Sequence, residues 1–183
     1  EAFNLLENLL RWTRNQNGKT KIYATLFNLT PVARQVVSLF SAIANAKEIE
    51  LINRIEGKFD IFADEDMIKT VLRNLISNAI KFTYTGGQVE LSLADSGDCW
   101  TIYVKDNGKG IPKDLQTHLL KSDEYITTYG THNEKGSGLG LILCRDFIRM
   151  NKGKLHFCSQ EGIGTTFYFT IPKASSSAKA ASR

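Results

Sequence analysis

Apolar residues along this chain switch between two periods, and the switches mark out its elements. Leu5, Leu6, Leu9, Leu10 and Trp12 recur at helical spacing, and the run stops at Asn17-Gly18. That pattern predicts an amphipathic helix closed by a glycine. Its leucine stripe has little beside it in sequence to pack on, so it expects a further helix or a second copy of the chain. Thr30 as a cap and Pro31 in the first turn predict a second helix running to about Lys47. Ile49 to Ile55 alternate as a strand, and "DIFAD", ending at Asp64, holds another short one. From Asp64 to Phe82 the period returns to that of a helix. Ile68, Val71, Leu72, Leu75, Ile76, Ala79 and Ile80 form one clean apolar face there.

"QVELSLAD" and "CWTIYVKD" are alternating strands joined by "SGD", a hairpin signal. Ile111 to Gly138 is polar and irregular, which predicts a long mobile loop with a short helix at its start. "LGLILCRDFIRMN" reads as a helix, and "KLHFCSQ" and "TTFYFTIP" as a last hairpin across "EGIG". Hairpins alternating with helices predict an α+β fold, a two-layer sandwich of one mixed, mostly antiparallel sheet with helices on one face. Residues 19–173 form that unit. Residues 174–183, "ASSSAKAASR", are low in complexity and read as a disordered tail or linker.

Length, charge and cysteines narrow the class. The 183 residues are enough for one domain with a real core. The net charge of +4 comes from scattered lysines and arginines, so no nucleic-acid footprint is indicated, while an anionic small molecule would suit it. No apolar run approaches the roughly 20 residues of a membrane span, and no signal peptide is recognisable. Cys99, Cys144 and Cys158 have no metal-binding spacing. They are expected to be reduced, buried packing residues of a cytoplasmic protein. The chain starts within a helix and without an initiator Met, as expected of a piece of something longer.

Three stretches carry candidate chemistry. On the long helix, Asn74, Asn78 and Lys81 share a stripe apart from the apolar face. The stripe fits a solvated surface, yet asparagine is a poor helix former. Aligned carboxamides can ligate a hard cation such as Mg²⁺, and a lysine one turn on can meet phosphate. "DNGKGI", Asp106 to Ile111, ends a strand with a carboxylate and two glycines, more than a turn requires. "EKGSGLGL" places Lys135, Gly136, Gly138, Leu139 and Gly140 just before an apolar helix. Such glycines fit a hinge, or a loop whose amides approach an anion at a helix N-terminus. No Gly-Lys-Ser/Thr follows, and no strand runs directly into the loop, so neither a P-loop nor a dinucleotide fingerprint is present.

Taken in order, "NLISNAIKF", "DNGKGI" and "GSGLGL" resemble the N, G1 and G2 boxes of the ATP-binding catalytic domain of sensor histidine kinases. That domain belongs to the wider superfamily of type II topoisomerases, Hsp90 and MutL. "GIGTTFYFTIP" resembles the closing glycine motif and strand. Residues 1–18 resemble the end of the second helix of the dimerisation and phosphotransfer domain. The resemblance covers nearly all of residues 1–173, and it implies ATP and Mg²⁺ as ligands. By it, Asp106 accepts from the adenine N6 amine, and Gly108 and Gly110 let backbone wrap the base. Asn78 holds Mg²⁺ with Asn74 beside it, and Lys81 meets phosphate. Gly136 to Gly140 shape a mobile lid, with Lys135 at the γ-phosphate. Phe82 or Tyr84 packs by the nucleotide or in the core.

The implied activity is donation of the γ-phosphoryl group to a histidine on a dimerisation domain of the parent chain. The implied parent is a homodimer, cytoplasmic at least in this part, with a response regulator receiver domain downstream. No nucleic acid or membrane contact is implied for this part. The alternative is an ATPase or nucleotide-dependent switch of the same superfamily. Asn74 separates the two, because the hydrolases usually carry a glutamate there, and a carboxamide is no base at neutral pH. Two departures stand out. Leu119-Leu120 replaces the phenylalanine of the family's F box. None of His118, His132 and His156 lies on a dimerisation helix, so all three are read as incidental.

Overall fold

The computed structural model describes residues 21–119, 130–132 and 139–173. The expected helix within residues 1–18, most of the loop between the glycine motifs, and the tail lie outside them. The described chain runs β1 (Thr25–Asn28), α1 (Leu29–Ala46), β2 (Glu50–Asn53), β3 (Asp60–Ala63), α2 (Glu65–Phe82), β4 (Gln88–Ser96) and β5 (Cys99–Asp106). It continues with α3 (Lys113–Gln116), α4 (Leu139–Met150), β6 (Leu155–Gln160) and β7 (Gly164–Pro172).

Five strands form the main sheet in the order β2-β4-β5-β7-β6. Only the β2–β4 pair is parallel, which is the mixed, mostly antiparallel sheet the alternation predicts. Period-two burial assigns the faces. Val89 and Leu91 on β4, Ile102 and Val104 on β5, and Phe167, Phe169 and Ile171 on β7 are buried, and they join the helix residues in one core. Against them pack Ile68, Val71, Leu72, Leu75, Ile76, Ala79 and Ile80, the apolar face read from the α2 sequence, with Leu143, Phe147 and Ile148 of α4. Asp106 shares the parity of Ile102 and Val104. Its carboxylate therefore lies on the helix side of the sheet, flanked in register by Val89 and Thr165.

Three readings change. β1 was not foreseen: it pairs antiparallel with β3 in a separate two-stranded sheet. The cap of α1 is Asn28, whose Oδ1 accepts from the Thr30 N–H at 3.1 Å, while the Thr30 hydroxyl donates to the Gly57 carbonyl at 2.7 Å. The cap thus lies two positions earlier than expected, and Thr30 sits inside the first turn, where its own N–H is the orphan amide that Asn28 meets. The third concerns the cysteines. All three are free, but only Cys144 is buried; Cys158 is exposed on the outer face of β6.

The N-cap of α2 is buried, and its polar groups are paired. Asp64 caps it, Oδ1 accepting from the Met67 N–H at 3.1 Å and Oδ2 from the Tyr23 N–H at 2.9 Å. Buried Asn151, just past α4, accepts from the Asp64 N–H at 2.7 Å and donates to the Phe147 carbonyl at 2.8 Å. Asn151→Ala leaves the Asp64 N–H buried without an acceptor. Its expected cost is about 1–3 kcal/mol, read as a lower urea midpoint at unchanged m-value.

Candidate functional site

Three segments that are far apart in sequence meet around α2. A Cβ on Gly108 would run into the carbonyl oxygen of Phe82, and the Lys109 N–H donates to that oxygen at 3.0 Å. The loop after β5 is therefore seated on the last turn of α2. Gly110, at φ +67°, faces the Gln160 carbonyl in the β6–β7 turn, which a side chain would also strike. At the other motif, a Cβ on Gly140 would sit 2.9 Å from Asn74 Oδ1. The first turn of α4 thus lies against the middle of α2, with Leu139 buried beneath it. These contacts give the glycines a reason within the protein itself, since backbone must approach backbone or carboxamide where no side chain fits.

Asp106 is the charged centre of this arrangement. It is 6% exposed. Its Oδ1 accepts from the Gly108 N–H at 3.0 Å and from the Thr165 N–H at 3.2 Å. Among the described residues nothing donates to Oδ2. Loss of water around the carboxyl raises it to about 6, against the lowering pull of the two amides. A buried carboxylate with one satisfied and one unsatisfied oxygen is costly unless a donor completes it.

Along α2 the two asparagines differ. Asn74 donates from Nδ2 to the Thr70 carbonyl at 2.9 Å and turns Oδ1 towards Gly140. Asn78, half-buried, makes no hydrogen bond to another described residue. One turn on, Lys81 Nζ lies 4.8 Å from the centroid of the Phe82 ring, and Lys109 Nζ lies 5.0 Å from the same centroid. Two cations thus gather at one aromatic ring beside the G1-like loop. Tyr84 is largely exposed. Lys135, Gly136 and Gly138 lie outside the described residues, as does Leu120.

Sequence reasoning did not single out Thr165, Lys47 or Thr131. Thr165 supplies an amide to Asp106. Thr131 donates from its backbone N–H to the Lys81 carbonyl at 3.1 Å and from its hydroxyl to the Thr83 carbonyl at 2.8 Å. Backbone partnerships of this kind leave no residue-type signature. His132 contacts the Thr85 hydroxyl at 3.3 Å, and His156 stacks on Tyr168 on the outer face of the sheet. His156 pairs with Tyr168, three positions along β7 from Thr165, the partner of Asp106.

The arrangement offers a buried acceptor for an amine, a carboxamide unengaged by the described residues and ammonium groups at the last turns of α2 and the loop seated on them, the inventory of a nucleotide site. The sequence profile of the family described as histidine kinase-, DNA gyrase B-, and HSP90-like ATPase matches residues 63–175. The adaptive-response sensory kinase SasA of Crocosphaera subtropica is 30% identical over 170 residues, 92% of this chain and 44% of that protein. This chain therefore spans less than half the length of that relative. The catalytic domain of histidine kinase ThkA superposes with a TM-score of 0.70 at 31% identity, covering 82% of this chain and 96% of that one. ThkA in complex with response regulator protein TrrA superposes with the same TM-score at 27% identity, covering 94% of this chain and 49% of that one. The chain belongs to the histidine kinase-, DNA gyrase B-, and HSP90-like ATPase family, and within it to the nucleotide-binding catalytic domains of sensor histidine kinases.

Proposed function

We propose that residues 19–173 bind Mg-ATP and donate its γ-phosphoryl group to a histidine on the dimerisation domain of a two-component sensor kinase. Residues 1–18 are then the end of that domain's second helix and 174–183 a tail. The observation that carries the reading is the half-satisfied carboxylate of Asp106. The adenine N6 amine is a neutral donor of the right kind for Oδ2. Guanine presents an acceptor, O6, at the same place and is rejected. Asn78, with its carboxamide unengaged by the described residues, would hold Mg²⁺ together with phosphate oxygens, and Lys81 would meet phosphate. Lys135 and Gly136 to Gly140 would close over the triphosphate.

What the domain lacks also supports a donor. Asn74 is no base, and its amide is already committed to the Thr70 carbonyl. Activating water is left to no group at this position, whereas an acceptor imidazole is itself the nucleophile. The chain's role is then positioning and charge neutralisation. A response regulator, the kind of protein with which ThkA forms a complex, is the proposed recipient downstream. The parent is proposed to be a homodimer with this part in the cytoplasm. Among the described residues, no helix is long and apolar enough to cross a membrane.

Asp106→Asn should lose about 10- to 150-fold in ATP affinity by calorimetry, through one charge-assisted hydrogen bond. Wild type binding GTP as tightly as ATP would remove Asp106 from the adenine role. pH offers a second check. The folded carboxyl titrates near 6 and the unfolded one near 3.8. Between these values the folded state holds a proton that the unfolded chain has lost. Ionisation therefore costs the free domain stability above pH 6, on the order of 3 kcal/mol, and the cost is relieved as pH falls from 6 towards 3.8. ATP affinity should fall over the same interval, because a protonated carboxyl is a weaker acceptor. Asp106→Asn should flatten both profiles between pH 4 and 7.

Asn78→Ala should weaken nucleotide binding chiefly when Mg²⁺ is present. Equal binding of Mg-ATP by variant and wild type would return Asn78 to the solvated surface. For the reaction, label from γ-labelled ATP should pass to a histidine-bearing dimerisation domain supplied in trans, as an acid-labile phosphoryl group. The chain alone should not acquire label. Rapid phosphate release without acceptor would instead favour the ATPase reading.

A further inference from the structure

The last turn of α2 sits in an awkward place for its proposed task. The C-terminus of a helix carries partial negative charge and unpaired carbonyls. Asn78 and Lys81 project from this end, where a triphosphate would have to lie. An anion there is repelled by the helix unless something offsets the carbonyls.

Lys47 does so from below. It is 7% exposed and is the C-cap of α1. Its Nζ donates to the carbonyls of Ile80 and Lys81, at 2.9 Å each. Thr131 also reaches the Lys81 carbonyl, with its N–H at 3.1 Å, and its single hydroxyl proton is shared between the carbonyls of Thr83 at 2.8 Å and Lys81 at 3.2 Å. A buried ammonium on two terminal carbonyls cancels much of the partial charge and locks the turn in one geometry. The ring of Phe82, next in sequence, is in turn the platform for the Lys81 and Lys109 ammonium groups.

We propose that Lys47 and Thr131 are positioning residues for the triphosphate half of the nucleotide. With Lys47 on the Ile80 and Lys81 carbonyls and Thr131 on that of Lys81, they set the turn from which Asn78 and Lys81 meet Mg²⁺ and phosphate. Neither touches the nucleotide. The inference rests on the ATP-binding reading, but it separates the two ends of the ligand. Asp106 is held by amides of Gly108 and Thr165, and the loop that carries Gly108 is tied to the Phe82 carbonyl rather than to the two that Lys47 engages. Adenosine binding should be insensitive to Lys47, and binding of the phosphates should not.

The test compares ATP and adenosine affinities in Mg²⁺ by calorimetry, for wild type, Lys47→Met and Thr131→Val. Methionine keeps the apolar stem and removes the charge. Lys47→Met should lower the ATP-to-adenosine affinity ratio about tenfold, and Thr131→Val about threefold, with adenosine affinity changed less than about twofold. A role confined to stability would shift the unfolding midpoint and leave the ratio at its wild-type value. That result in folded Lys47→Met overturns the proposal. If Lys47→Met does not fold, Thr131→Val decides, since it deletes the hydroxyl shared by the Lys81 and Thr83 carbonyls at the same helix end, and an unchanged ratio overturns the proposal equally. Wild type without preference for ATP over adenosine would instead sink the functional reading itself.

Discussion

The end of one helix imposes the constraint on which the rest depends. α2 is closed in by the sheet and by α1 and α4, so its four terminal carbonyls cannot all turn to water. Each has a named partner. The Ala79 carbonyl accepts from the Thr83 N–H and hydroxyl, at 3.0 and 2.7 Å. Those of Ile80 and Lys81 accept from Lys47, with Thr131 also on Lys81. That of Phe82 accepts from the Lys109 N–H. Apart from Thr83, which follows the helix directly, the partners come from the C-cap of α1, from the segment between the glycine motifs, and from the loop after β5. The helix end is therefore satisfied by the same segments that surround the site, each on its own carbonyl.

This coupling changes what the glycines mean. In Asp106–Ile111 they invite the explanation that backbone must approach a ligand. Gly108 is required first by the Phe82 carbonyl, and Gly110 by the Gln160 carbonyl and a positive φ. The loop is thereby pressed between α2 and the β6–β7 turn. Its position delivers the Gly108 N–H to Asp106 Oδ1. A ligand role and a packing role do not compete here, because close packing is how the carboxylate is aimed and dried. The same packing costs stability in the free domain, as the raised titration of Asp106 records. A ligand amine at Oδ2 would recover part of that cost.

Much of the fold was legible because the two burial periods were clean. The α2 face was read residue by residue, and all seven positions are buried in the core. Both main hairpins followed from alternation and turn residues. β1 was missed because "TLFN" is too short to show a period, and its partner β3 lies more than thirty residues on. Cys158 was misjudged for a related reason. A cysteine on an alternating strand belongs to whichever face the register assigns, and only the pairing of β6 with β7 places it outside.

The sequence by itself determined the element types, the three glycine and asparagine motifs, and their order, since each rests on residue type at short spacing. It also determined the absence of a carboxylate base at position 74, which is a matter of side-chain chemistry alone. Only the tertiary structure decided which polar groups are buried and who answers them. Lys47 reads in sequence as one more surface lysine at the end of an amphipathic helix. It becomes a buried cation because α1 ends against the last turn of α2, a contact between residues more than thirty positions apart. Desolvation and hydrogen-bond satisfaction are properties of such contacts, and no local pattern encodes them.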